Sequence, residues 1–490
     1  MSAAIAPNTP VLVGVGVAMR REDDPARALE PIDLMLEAVR AAGADCGVPA
    51  LLAEVGSIAV PRGRWKYRNP SGQIARTIGA NGATTILSSV GVLQQTLIAD
   101  ACQAIDEGKI ESALVTGADA GYRQLRARLD GGRAAECSQN DDPDVLLEPK
   151  AELRHPAEVA AGLKMPVGLY AMLDSARRAA KGLSVDEHRD RLAARYARFA
   201  EIAAANPAGW AREALDAATI RDHGPRNPMQ AFPYTRAHCS TWNVDQGAAL
   251  LFCSAARAEA LGIDRSRWVF PLASAESNHM VALSARANLT RSPGADAAAL
   301  AALDAAGVSV EDLDLIDLYS CFPVAVETFA DALGLPPNRD LTFTGSMAFA
   351  GGPYNNYVFQ ATARAAQLLR EGAGRTALTS CVSGILTKQA FALWSTEPPR
   401  DGFARIDVTA EVAAAAAEMT VVEDYTGPGR VAGCTVIYER GTTPRAIALI
   451  DTDAGARALA MAEDAETIAG MEREEWVGRR VQIIAGRIAL

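Results

Sequence analysis

Paired cysteines are missing from this 490-residue chain. Its eight cysteines (Cys46, Cys102, Cys137, Cys239, Cys253, Cys321, Cys381 and Cys434) are scattered, with no Cys-x-x-Cys and no histidine at zinc spacing. Neither a disulfide framework nor a metal site is expected, and runs such as LLFCSAA around Cys253 read as buried, inert thiols. Long apolar runs are missing too: nothing approaches the roughly 18–20 residues of a membrane span. The opening MSAAIAPNTP lacks the basic and apolar regions of a signal peptide, so a cytoplasmic protein with no membrane partner is expected. Positive charge is in deficit, and a net charge of −11 repels phosphate backbones, so no nucleic-acid partner is expected. The chain has no GxxxxGK[ST], HExxH or GxSxG, and its only glycine fingerprint, Gly14-Val15-Gly16, carries Met19 where a third glycine should stand.

What remains has the composition of an ordinary folded protein, 49% hydrophobic and 22% charged, long enough for three or four units of roughly 100–200 residues. Residues 10–17 (PVLVGVGV), 55–60 and 113–116 read as buried strands. Helices are expected after Pro31, where Ile32, Met35, Leu36 and Val39 recur at helical spacing, and over 92–105. Such alternation predicts an α/β layer with parallel pairing. It recurs later, with strands at 268–273, 313–318 and 376–379 and helices at 297–306 and 356–369. ACQAIDEGKIESALVTGADA from Ala101 aligns without gaps to AAQLLREGAGRTALTSCVSG from Ala365, a constant offset of 264 that points to an internal duplication.

Between the halves, residues 121–240 lose the strand pattern and read as a helical insertion. After WSTEPP the composition changes, and 401–490 offer short β-prone runs (RIDV, MTVVEDY, GCTVIYE, RAIALI, VQIIAGRI), predicting a small barrel of the oligonucleotide/oligosaccharide-binding (OB) type. Two basic clusters, Arg123, Arg126, Arg128 and Arg133, and Arg177, Arg178 and Lys181, are candidates for an anionic ligand or solvated helix faces.

The duplicated α/β halves, the inserted helical segment and NVDQGAALLFCSAARAEALGI (243–263) resemble the thiolase superfamily, especially its sterol-carrier-protein-type branch. The likeness covers roughly residues 10–400. RNPMQAFPYTR (226–236), SAESNHMVALSARANLTRSPGA (274–295), DLYSCFP (317–323) and LTKQAFALWSTEPP (386–399), with the added C-terminal β domain, resemble thiolase-like proteins type 1 of actinobacteria. The resemblance implies a five-layer α-β-α-β-α thiolase fold. Its N-terminal half would be 1–120 plus 241–265, its loop domain 121–240, its C-terminal half 266–400 and its OB-like domain 401–490.

It also implies four catalytic loops, and the sequence departs from the family at most of them. The nucleophilic cysteine position falls on Gly91, which carries no nucleophile; the nearby Ser88 and Ser89 read as helix-capping residues. The second loop aligns with Tyr319-Ser320-Cys321-Phe322, where Tyr319 can donate to a thioester oxyanion or act as acid or base, as its counterpart does in the thiolase-like aldolases of steroid side-chain breakdown. The third loop has Gly352-Pro353 without the family's histidine, followed by Tyr354 and Asn355 as possible donors. The fourth keeps Cys381 at the acid/base position, and His279, beyond a strand end, is a candidate for the missing base. The implied ligand is an acyl-coenzyme A thioester, with no bound cofactor and with Gly91, Cys321, Gly352, Pro353, Tyr354 and Asn355 around it. The expected activity is the making or breaking of a C–C bond, in the manner of an acyltransferase-family enzyme or a retro-aldol lyase, without an acyl-enzyme. The alternative is a non-catalytic acyl-CoA-binding or scaffold protein, and a homodimer or a protein partner bound through the β domain is possible.

Overall fold

The computed structural model describes residues 5–149 and 154–489; the first four residues of the N-terminal stretch read above lie outside it. The first sheet contains β1 (Pro10–Arg20), β2 (Ser57–Pro61), β3 (Thr84–Ser88), β4 (Ser112–Ala120) and β5 (Val145–Leu147). After two short strands, β6 (Met229–Ala231) and β7 (Tyr234–Thr235), β8 (Asp245–Ser254) completes it in the order β1-β8-β4-β2-β3-β5. The second sheet is β9 (Phe270–Ser277), β10 (Leu315–Asp317), β11 (Thr376–Ser383), β12 (Lys388–Ser395) and β13 (Ala404–Asp407), in the order β10-β11-β12-β9-β13.

Pairing is mixed rather than wholly parallel. β8 runs antiparallel to both β1 and β4, and β12 antiparallel to both β9 and β11. β8 and β12 are buried along their whole length, and beyond their first two residues (Asp245-Gln246 and Lys388-Gln389) they carry continuous apolar or small residues with no alternation to mark them. The two sheets share one scheme. The offset of 264 carries the helix Gln94–Asp106 onto the helix Tyr357–Arg370 and β4 onto β11. These two helices pack between the sheets, while Pro31–Asp45 covers the outer face of the first and Pro293–Ala306 that of the second, giving five layers. The Gly14/Gly16 pair serves this packing and not a phosphate. A Cβ on either would lie 2.2 Å or less from the Ala42 or Ala38 carbonyl oxygen of the covering helix.

The inserted segment is mainly helical (Pro166–Ala180, Val185–Ala205), yet it lends β5 to the first sheet and β6 to the barrel. The helices Pro166–Ala180 and Val185–Ala205 are joined by a buried pair, His188 Nε2 to Asp174 Oδ2 at 2.7 Å. Burial alone would raise the carboxyl and depress the imidazole. Each charge overrides that for the other, so Asp174 lies below its ordinary value and His188 above. A raised imidazole stabilises the fold fully below pH about 6.5 and loses that contribution as pH rises through its folded value. Urea midpoints should therefore fall from pH 6 to 9, and His188→Gln should flatten that slope. Parallel slopes in the two proteins would contradict the pairing.

The C-terminal strands are β14 (Val421–Val422), β15 (Gly427–Ile437), β16 (Arg445–Thr452), β17 (Arg457–Ala462), β18 (Arg480–Ile484) and β19 (Arg487–Ala489). Pairings of β15 with β16, β16 with β17, β17 with β19, β19 with β18 and β18 with β15 close a five-stranded barrel. The helix Ala465–Arg473 lies between β17 and β18, an OB-like arrangement. The expected boundary at 401 is corrected. The RIDV run forms β13, which pairs parallel with β9 and so extends the second sheet rather than the barrel. The barrel starts only after the helix Thr409–Ala415.

Candidate functional site

Strands β3, β10 and β11 end around one cavity of about 470 Å³. The carboxyl ends of strands are where open α/β sheets place ligands. Each strand contributes a loop. After β3 the chain passes through Gly91, whose φ of +105° is a left-handed value and whose missing Cβ would lie 3.1 Å from Pro149. The helix Gln94–Asp106 then starts at Leu93 with no side-chain cap, so the capping role expected of Ser88 and Ser89 is not realised. Gly91→Cys should accordingly fail to create an acyl-enzyme or any thiolysis, and should cost about 1–3 kcal/mol of stability. A Gly91→Cys protein that folds like the parent and turns over acetoacetyl-CoA with free CoA would refute this.

The β10 loop presents Tyr319. Asp317, two residues earlier and fully buried, accepts five hydrogen bonds: from Thr342 Oγ1 (2.7 Å), Thr344 Oγ1 (2.8 Å), the Phe343 and Thr344 amides (3.1 and 3.0 Å) and Tyr357 OH (2.7 Å). They lock the strand end to the 341–345 loop and to the helix Tyr357–Arg370. The Tyr319 amide donates to Ser380 Oγ on β11 (2.8 Å), and its ring meets Tyr357 edge-on at 5.7 Å. Its hydroxyl has no partner among the described residues, and the residue lines the cavity. Burial, with the neighbouring Cys321, Cys381 and Tyr354, raises the phenol well above its ordinary value. Burial thus favours the neutral phenol, the form that donates a hydrogen bond.

Cys321, Gly352, Tyr354 and Asn355 also line the cavity, as the alignment expects; Pro353 is buried behind them. The Gly352 amide donates to the Thr241 carbonyl (2.9 Å) and Asn355 Nδ2 to the Arg62 carbonyl (3.2 Å), which holds this loop in place. Burial pushes the Cys321 thiol up to about 12. Cys381 lies apart from them. It is fully buried and absent from the cavity wall, where its neighbours Val382, Ser383 and Gly384 stand. Burial pushes its thiol up to about 12 against the pull of the Gln95 and Gln94 amides. His279, half-buried in the loop after β9, does not line the cavity either; β12 stands between β9 and β11.

The basic clusters lie elsewhere. Arg177 pairs with Asp331, Arg178 with Glu475 and Lys181 with Glu327 and Asp331, while Arg123 and Arg126 hold backbone carbonyls. The cations that do line the cavity went unread in the sequence: Arg236, exposed and without an ion pair among the described residues, and Lys388. Apolar walls come from Val92, Met165, Val167, Tyr170, Phe322 and Met347.

One wall is strained and braced. Gly384, Ile385 and Leu386 are consecutively left-handed (φ 64°, 55° and 60°), a conformation that costs non-glycine residues about 1–3 kcal/mol each. Arg286 Nη2 donates to the Ile385 carbonyl, and Arg457 of the barrel, buried beside Asp451, donates to the Arg286 carbonyl, each at 2.5 Å. The barrel also packs β15 on the helix Pro166–Ala180, whose first turn faces the cavity. The C-terminal unit therefore braces the cavity wall.

No protein-family model matches the sequence, and comparison with curated proteins gives no match. Solved structures do match. A monomeric SCP2-thiolase-like protein type 1 from Mycobacterium smegmatis is 28% identical, with 99% of this chain and 100% of that one covered at a TM-score of 0.82. An Ltp2–ChsH2(DUF35) aldolase is 17% identical over 80% of this chain and 99% of that one, TM-score 0.59. Human mitochondrial 3-ketoacyl-CoA thiolase in complex with CoA is 17% identical over 80% and 99%, TM-score 0.54.

Proposed function

From the relationship of this chain to the thiolase superfamily, we propose that its cavity holds an acyl-CoA thioester and that the protein makes or breaks the C–C bond beside the thioester carbonyl without an acyl-enzyme. The observation that carries this reading is Tyr319: a phenol fixed at a strand end, its hydroxyl without a partner among the described residues, lining the same cavity as the empty nucleophile position at Gly91. A donor placed there can stabilise the enolate oxygen of the thioester or hold a β-oxygen as the bond to it changes order. The relatives support the class. One is named an aldolase, and another carries CoA.

Arg236, at the cavity and without an ion pair among the described residues, is assigned to the anionic end of the ligand, in place of the two basic clusters, none of whose residues lines the cavity. No helix among the described residues is long and apolar enough to cross a membrane, in keeping with a protein that meets its thioester in solution. The test is a panel of β-hydroxyacyl-CoAs, scored for a shortened thioester and a released ketone or aldehyde. The second reading, a non-catalytic acyl-CoA-binding protein, draws on the placement of Cys381 and His279 outside the cavity; thioester binding with no turnover of any panel member would favour it.

A further inference from the structure

Lysine is scarce in this chain, at positions 66, 109, 150, 164, 181 and 388 only. Lys66, Lys109, Lys164 and Lys181 are exposed, whereas Lys388 is 4% exposed and lines the cavity. Other buried cations of the molecule, such as Arg177, Arg178 and Arg457, are guanidinium groups, each beside a carboxylate. At the cavity wall the buried cation is instead an amine, which gives up its proton far more readily than a guanidinium.

Lys388 is the first residue of β12, paired with Ser383 at the end of β11, and its Nζ donates to the Gly91 carbonyl oxygen at 2.9 Å. The amine thus lies against the turn where the family resemblance places a nucleophilic cysteine. Among the described residues no carboxylate comes within 4.0 Å of it, and burial pushes the amine below its ordinary value. One N–H of the amine holds Gly91, and loss of a proton from it leaves a lone pair for a carbonyl carbon.

We propose that Lys388 is a nucleophile of this site, its amine condensing with a ketone or aldehyde carbon of the bound acyl chain to form an imine. The proposal rests on the acyl-CoA reading above. The nitrogen lone pair forms the C–N bond, the carbonyl oxygen leaves as water with the two amine hydrogens, and water reverses the step, so no oxidant or reductant is needed. Once protonated, the imine carbon is a stronger electrophile than the free ketone or aldehyde and takes the electron pair of the thioester enolate as the C–C bond forms; in cleavage that pair returns to the thioester carbonyl while the nitrogen lone pair re-forms the imine.

The experiment is to trap the imine with sodium borohydride in the presence of acetoacetyl-CoA and to map the product by peptide mass spectrometry. The wild type should gain the ligand's mass less one oxygen, on the peptide containing Lys388. Lys388→Met should lose the adduct. Lys388→Arg keeps a cation able to hold Gly91 but cannot form an imine, so it should fold like the parent and also lose it. Acetoacetyl-CoA that binds by calorimetry yet leaves no adduct, or an adduct mapped to another lysine, overturns the proposal while sparing the acyl-CoA reading. If acetoacetyl-CoA does not bind, that reading fails, and acetoacetate with borohydride tests the lysine alone: an adduct at Lys388 supports the imine, and none overturns it.

Discussion

Tyr319→Phe is expected to lower any C–C cleaving or forming turnover by about 10²-fold or more, the scale typical of one oxyanion donor or general acid. The substitution removes a single hydroxyl. It keeps the ring against Tyr357 and the amide on Ser380 Oγ, and since the hydroxyl has no partner among the described residues, no hydrogen bond among them is lost. The thermal midpoint should therefore stay close to the parent's, and kcat should fall more than KM rises, because the donor's contribution grows as charge develops on oxygen. A phenylalanine variant with unchanged turnover would remove Tyr319 from the chemistry.

Asp317→Ala is expected to destabilise the protein by roughly 3–5 kcal/mol, the range reached when several buried hydrogen bonds lose a common acceptor. Five donors converge on this carboxylate from the 341–345 loop and Tyr357, and the site is dry, so water replaces the lost acceptor poorly. The damage should spread to the cavity, because the Leu318 amide on the Leu341 carbonyl and the π-type turn Ser346–Ala350, which brings Met347 to the wall, hang from the same loop. Asp317→Asn keeps one oxygen acceptor and should cost less. Urea unfolding that places the alanine variant level with the parent would show that the network is not what holds the strand end.

The Asp317 network was invisible in the sequence, where DLYSCFP shows a strand end but not the two threonines and the tyrosine that reach it from positions 342, 344 and 357. The duplication was legible, because a helix, a glycine stop and a strand carry local signals that survive in both copies: Gln94–Asp106 with β4, and Tyr357–Arg370 with β11. β17, RALAMA, has no β-branched residue and becomes a strand through pairing with β16. RIDV looks like any other edge strand, and only its partner, β9, decides that it belongs to the second sheet.

The family resemblance brought Gly91, Tyr319, Cys321, Gly352, Tyr354 and Asn355 to one cavity, since each sits on a loop whose register follows from its strand. Cys381 and His279 do not line it: Cys381 is fully buried on β11, and His279 follows β9, with β12 between that strand and β11. Lys388 escaped notice because its meaning lies in a contact with Gly91, 297 residues away in the chain.

The central claim, acyl-CoA chemistry without an acyl-enzyme, is tested most directly by incubating the protein with acetoacetyl-CoA, without reductant, and measuring saturable binding together with intact mass under denaturing conditions. Saturable binding with an unchanged protein mass is the predicted result, because an untrapped imine hydrolyses and no thiol that lines the cavity is ionised. A stable acetyl adduct on Cys321, Cys239 or any serine, or no binding at all, would contradict it.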